Sequence, residues 1–411
     1  MSAQLDIAAV RAKFPALAQD QVFFDNAGGS QTLGTVIESY VSLLLFSGSG
    51  NSLTLSSIRD YLSQTNVQLG ASYKVGQRAT ASYNEGYQAG AKYINASPDE
   101  IVFGASTTQL FRNLSHTFSF NKGDEIVVSA VDHEANIASW IDLASRQDLT
   151  LKWWKPADAP NPRLTVENLK PLLSKKTRLV TLTHASNILG TIHDVAAVAA
   201  AVHKETPKGL VCVDGVAYAP HRPLDVQALG VDFYAFSWYK VYGPHTAMLY
   251  ASRAAQDGHM RSLGHFFNPS DSLEGKLGLA GGSYELVSAV PRVLEYLGWK
   301  GKVEQERLLQ STLLEYLNGR SDVTVYGETD AGTERRLQSE GVGAKELVTA
   351  VEKETDFGFR WGHFYSYRLV KEILNLDPAD GIVRVSMVHY NSLDEIKSFV
   401  TALDKALQQK Q

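Results

Sequence analysis

Lys240 stands in "SWYKVYGPH", directly after the apolar run "DFYAFS" and among Trp238, Tyr239 and Tyr242. A lysine just past the carboxyl end of a buried strand can snorkel to water. Walled by aromatic rings, and so partly desolvated, it can instead react as an amine. Asp214 ends a second such run, "GLVCVDG". A carboxylate and an amine at neighbouring strand ends can share one cleft. Three further strand ends carry polar groups. "FGASTTQL" closes a strand in hydroxyl residues and opens a helix, so Ser106, Thr107 and Thr108 meet free N–H groups and a positive dipole end. Simple helix capping would use the same residues. His133 lies in "SAVDHEAN" and Asn187 in "LTHASNILG", where a structural or turn role is the alternative. Together these supply a phosphate cradle, a flat polar ring, an amide, a carboxylate and a lysine. Pyridoxal 5′-phosphate needs those parts.

The elements that must position them follow from the pattern. Between residues 98 and 252, seven β-rich runs alternate with amphipathic stretches such as "TTQLFRNLSHTF" and "VAAVAAAVHKE". This alternation predicts an α/β fold with a mostly parallel sheet between helices, and ligands beyond the carboxyl ends of its strands. After residue 283 the pattern changes. Helical patterns at 284–298 and 303–318 precede a strand "VTVYGE", a helix "AKELVTAVEKE", a run "GIVRVSMV" and a closing helix. The expectation is a large domain over 20–265 and a smaller α+β domain made of 1–19 and 285–411. The polar stretch 328–343 reads as a mobile loop, with no recognisable strand before "GVGAKELV".

Bulk properties narrow the classes. A chain of 411 residues, 44% apolar and 20% charged, suits a globular protein of two domains. A net charge of −5 gives no reason to expect nucleic acid. No apolar run is long enough for a membrane span, and "MSAQLDIAAVRAKFPAL" reads as a short amphipathic helix ended by Pro15 rather than a signal peptide. The single cysteine, Cys212, fits a reducing, cytoplasmic setting.

The chain resembles the class V aminotransferase family of fold-type I pyridoxal-phosphate enzymes, and most of all its cysteine-desulfurase-like branch. "FFDNAGGSQ", "SNILGT", "VDGVAYAPH", "DFYAFSWYKVYGP" and "VRVSMVHYNSLDEI" carry the resemblance in order, over nearly the whole chain. It implies a homodimer with the cofactor site near the subunit interface and a small-molecule amino-acid substrate. It also implies roles. Lys240 would bind the cofactor covalently and shuttle the proton, Asp214 would pair with the pyridine nitrogen, and His133 would stack on the ring. Asn187 would sit near the ring hydroxyl and the substrate carboxylate. Thr107, Thr108 and Ser237 would hold the phosphate, with Val216 and Tyr239 completing the cofactor-binding set. Gly281 and Gly282 would offer backbone N–H groups to the partner's phosphate. Arg384 would clamp the substrate carboxylate, with Arg360 assisting.

The departures matter as much. Ala217 stands where many desulfurases carry a glutamine, and Tyr239 where they carry a histidine. Their sulfur-accepting cysteine falls at Tyr365, in "GFRWGHFYSYR". Cys212 lies within an apolar strand run, so persulfide relay is disfavoured. The expected chemistry is β- or γ-elimination, or γ-replacement with or without cyclisation, through an external aldimine and a quinonoid. Fungal biosynthetic relatives of this branch, such as those of the loline type, perform γ-replacement and ring closure. The alternatives are C–S lysis without a protein persulfide, epimerisation or transamination, and, in another class, a non-catalytic cofactor-binding scaffold. Tyr365 either serves as a general acid or only packs.

Overall fold

The computed structural model describes residues 5–37, 57–156, 161–265, 272–279, 281–329, 335–339 and 343–408. A short strand β1 (Val22–Phe23) precedes the main sheet. That sheet comprises β2 (Ile101–Gly104), β3 (Glu125–Ser129), β4 (Thr150–Trp154), β5 (Thr177–Thr183), β6 (Leu210–Asp214), β7 (Phe233–Ser237) and β8 (Ala247–Ala251). Its order is β2-β8-β7-β6-β5-β3-β4. β8 runs antiparallel to both its neighbours, and the other pairings are parallel.

Alternate residues feed two separate cores, as the period of a strand requires. On one face lie Val127, Val180, Leu182, Val211, Val213, Tyr234 and Phe236, packed with Val198 and Val202 of the helix Val195–Glu205. On the other lie Ile126, Val128, Leu179, Leu210, Cys212, Phe233 and Ala235, under Leu110 and Leu114 of the helix Thr107–Thr117 and Trp140 of the helix Ala138–Arg146. Each fully buried large apolar side chain contributes about 1.5–3 kcal/mol. The strand interiors therefore fix the register, and polar residues at the carboxyl ends can serve a cleft.

A second sheet, ordered β12-β13-β10-β9, is built from β9 (Val323–Tyr326), β10 (Arg335–Ser339), β12 (Arg360–Gly362) and β13 (Ile382–Val385). A two-residue strand β11 (Phe357–Gly358) pairs in parallel with β1 instead. A third core joins Leu309, Leu313 and Leu317 of the helix Lys302–Asn318 to Leu347 and Val351 of the helix Ala344–Glu354. Phe399 and Leu403 of the helix Leu393–Gln408 complete it. Phe24 from the N-terminal segment packs into this core, where its ring stacks on Phe357 at 5.6 Å.

Two expectations need correction. The stretch 328–343 is not simply a loop. It supplies β10, which pairs antiparallel with β13 on one side and β9 on the other. Two flanking ladders override a composition poor in strand formers. The helical pattern at 284–298 is broken in two, Tyr284–Val287 and Val290–Tyr296. Pro291 sits in the first turn of the second helix, where its missing N–H costs nothing but where an unbroken helix could not pass. No described helix is long and apolar enough to cross a membrane.

Candidate active site

Because β2, β3, β5, β6 and β7 point the same way, their carboxyl ends meet along one edge. A cleft of about 530 Å³ opens there. At one end Ser106 caps the helix Thr107–Thr117, its hydroxyl accepting from the Gln109 N–H at 3.1 Å. Thr107 and Thr108 follow in the first turn, and Thr107 Oγ1 lies 2.8 Å from Ser237 Oγ at the end of β7. Hydroxyls, free N–H groups and a helix dipole thus converge on one spot, as an anion requires.

Asp214, at the end of β6, is buried on the cleft floor. Desolvation raises its pKa to about 6, although the Val216 N–H, 2.9 Å from Oδ1, and the nearby Lys240 charge pull the other way. Lys240 closes a 3₁₀ turn, Trp238–Lys240, that starts right after β7. Its Nζ lies 5.8 Å from the centre of the Tyr239 ring, which stacks on His245 at 4.9 Å. His133 follows β3. Its Nδ1 accepts from the Ala135 N–H at 3.1 Å. Burial first, then the charges of Lys240 and Arg384, push its pKa down to about 4. At neutral pH it is an uncharged flat ring, suited to stacking. Beneath it the buried Asp132 accepts from Asn136 at 2.6 Å and from the Thr183 N–H at 3.0 Å, which fixes the turn.

The second sheet contributes two arginines that lie outside the cleft's lining. Arg384 lies on β13, an inner strand, and is only 3% exposed. Its Nη2 donates to Asp25 Oδ1 at 2.6 Å and its Nη1 to the Asn187 carbonyl at 3.3 Å. Arg360 Nη1, on β12, reaches the other Asp25 oxygen at 3.3 Å. Asn187 donates through its side-chain amide to the Phe364 carbonyl at 3.0 Å and accepts from Ser366 Oγ at 2.8 Å. Phe364 and Tyr365 have φ of +47° and +61°. Such a conformation costs about 1–3 kcal/mol per side-chain-bearing residue, so this turn is held by its surroundings. The Tyr365 carbonyl also accepts from the Glu134 N–H at 2.8 Å. Its ring is 66% exposed at the mouth, 5.3 Å from that of His133.

Of the residues expected from sequence, Thr107, Thr108, His133, Asn187, Asp214, Val216, Ser237, Tyr239 and Lys240 line the cleft. Arg384 reaches it through Asn187, Arg360 lies further out and meets Arg384 only through their shared Asp25, and Tyr365 stands at its rim. Gly281 and Gly282 are exposed and lie outside its lining. Sequence reasoning gave no role to Thr183 or Asp25. Thr183 ends β5 beside Asp214 and lines the cleft. Nothing in the sequence pointed to Asp25; in the structure a Cβ at Gly28 would stand 2.7 Å from its Oδ2, so the glycine makes room for that carboxylate.

A model of the family described as Aminotransferase class-V matches residues 22–399. The chain belongs to the class V aminotransferase family. The Aminotransferase-like protein FGM3 of Gibberella zeae is 50% identical, over 99% of this chain and 100% of its own. The Cysteine desulfurase-like protein ustD of Aspergillus flavus is 39% identical, over 98% and 90%. Among solved structures, the cysteine desulfurase CsdA from Escherichia coli superposes with a TM-score of 0.83 at 24% identity, covering 99% of this chain and 100% of that one. This member of the class V aminotransferase family is therefore a fold-type I enzyme with pyridoxal 5′-phosphate as cofactor. The cleft fits that group: a hydroxyl and N–H cradle for a phosphate, a buried carboxylate for a ring cation, an uncharged imidazole and a lysine.

Proposed function

We propose that this enzyme eliminates or replaces a group at the β- or γ-carbon of an amino acid, without passing sulfur to a protein thiol. The observation that carries the second half is the place of the two residues at issue. Tyr365 occupies the rim position, and Cys212, the only cysteine, is fully buried within β6, where desolvation raises its thiol well above the ordinary range. A thiol in that state is neither ionised nor reachable.

When bound, the cofactor supplies an electron sink for the pair left on the substrate's α-carbon. In this reading the chain's own residues do the rest. Thr107, Thr108 and Ser237 hold the phosphate, and the Asp214 carboxylate stays ionised beside a ring cation that replaces its lost hydration. His133 covers one face and excludes water. Arg384 takes the substrate's α-carboxylate as a planar two-point donor. Lys240 Nζ takes the proton from the α-carbon and returns one later. Tyr365 Oη, at the rim, protonates the leaving group. Val216 and Tyr239 flank the ring, Arg360 supports Arg384 through Asp25, and Gly281 and Gly282 reach the phosphate of a second subunit in a homodimer.

Release of a sulfur product directly to solvent is the second reading, favoured by the desulfurase-like relatives. Incubating the holoenzyme with cysteine, cystine, cysteine sulfoxides and O-acetylhomoserine, followed by mass spectrometry, separates the two. Products of carbon–heteroatom exchange support the first reading. Sulfide or sulfane release from cysteine alone supports the second, and a persulfide on Cys212 overturns both.

A further inference from the structure

The strained turn at 363–366 presents a ring to a charge. The Arg384 guanidinium carbon lies 3.9 Å from the centre of the Phe364 ring, and that of Arg360 lies 5.5 Å from the same ring. Arg384 has already given two of its edges to fixed acceptors, the Asp25 carboxylate and the Asn187 carbonyl. Those two bonds do not by themselves fix the tilt of the guanidinium plane about the line joining the acceptors. A flat ring against one face removes that tilt, and its quadrupole attracts the cation as well. Two-point binding of a carboxylate requires the guanidinium and the carboxylate to be coplanar.

The Phe364 ring is held in turn. Its backbone is left-handed, its carbonyl is bonded by the Asn187 amide, and Ser366 is bonded to the same amide. Asn187 therefore fixes the ring through its side chain and the guanidinium through its main chain. We propose that Phe364 is a positioning residue for Arg384, setting the plane in which a substrate carboxylate is met. The left-handed turn is the device that aims its ring. This inference rests on the reading of Arg384 as the carboxylate clamp.

The test uses holoenzyme titrated with L-alanine and with ethylamine, its counterpart without the carboxylate, followed in the cofactor's visible absorption. Phe364→Leu keeps apolar bulk but removes the flat face. It weakens L-alanine by about tenfold while ethylamine changes less than about twofold. Phe364→Tyr restores the parent affinity. Phe364→Met provides the same comparison with an unbranched chain where leucine prevents folding. Equal weakening of both ligands, no weakening at all, or failure of Phe364→Tyr to restore affinity overturns the proposal. Arg384→Lys is run in parallel. Collapse of the L-alanine preference in Arg384→Lys but not in Phe364→Leu removes this inference and leaves the clamp standing. An unchanged preference in Arg384→Lys removes the clamp, and this inference with it.

Discussion

An asparagine at position 214 would keep the shape of the aspartate and could still accept the Val216 N–H, but it carries no charge. Desolvation holds the buried carboxylate up at about 6, with Lys240 only partly opposing it, and a ring cation of the cofactor would keep it ionised. Asp214→Asn is thus expected to fold normally and to lose turnover by roughly 10²-fold or more, because a neutral ring is a weaker electron sink. Full turnover in a folded variant would remove Asp214 from the ring. Lys240→Ala should retain cofactor through the phosphate cradle yet turn over nothing. Borohydride reduction of the parent, with peptide mapping, should leave the pyridoxyl group on Lys240. Cys212→Ala should keep activity within about twofold and lose stability of about 1 kcal/mol, the scale of a small core deletion. Tyr365→Phe keeps the ring at the rim and removes the hydroxyl. A fall in turnover with cofactor retained would support the acid role, and no fall would leave packing. Lys240, Asp214 and the threonines were legible because a polar residue ending an apolar run is a local signal. Asp25 and Phe364 were not. Their importance lies in touching Arg384, and for Asp25 that partner stands 359 positions away in sequence.

At the scale of elements, the turn bearing Phe364 and Tyr365 hangs from the end of β12, and β12 is pinned by the start of β13. Gly381, with φ +71°, leads into β13, and a Cβ there would lie 2.3 Å from the Gly362 carbonyl carbon. Nothing but backbone is in the way, so the clash cannot be relieved by a rotamer change. Gly381→Ala is expected to cost upwards of about 1–3 kcal/mol and to weaken amino-acid binding, though residue 381 is not among those lining the cleft. Thermal melting and ligand titration of the same sample would check both, and an unchanged affinity would uncouple the turn from β12. Of the seven strands of the main sheet, the edge strand β4 is only partly covered; the other six were readable because both their faces are buried, giving apolar runs whatever their order. β10 was not, because its pairing comes from β9 and β13 rather than from its own side-chain pattern. The break before Pro291 was missed because apolar periodicity continues across it.

Across the whole molecule, burial sets how stability responds to acid. It depresses His133 to about 4, His184 and His193 to about 3, and His389 well below its ordinary value. It raises Asp214 to about 6 and Asp132 to about 7. Unfolded histidines titrate near 6.5 and aspartates near 3.9. Between about pH 4 and 6.5 the unfolded chain therefore binds more protons at four histidines, while the native state binds more at two aspartates. The histidines prevail, so stability falls as pH drops through that window, by about 1.4 kcal/mol per pH unit for each unbalanced proton. The apoprotein's melting temperature should decline from pH 6.5 to 4.5, and more steeply in Asp214→Asn, which loses the opposing proton uptake. A flat or rising profile would contradict the assignment. The N-terminal segment has a consequence of another kind. β1 pairs with β11, Asp25 bridges to Ser386, and Asp25 holds both Arg384 and Arg360. A ribosome adds about 5–20 residues per second, so the 359 positions separating Asp25 from Arg384 take roughly 20 to 70 seconds to synthesise. The main sheet can form while the chain is still being made. The Asp25–Arg384 pair must wait for nearly the last residues, so, with Arg384 as the proposed carboxylate clamp, a nascent chain could complete the proposed cofactor cradle long before it is able to recognise a substrate.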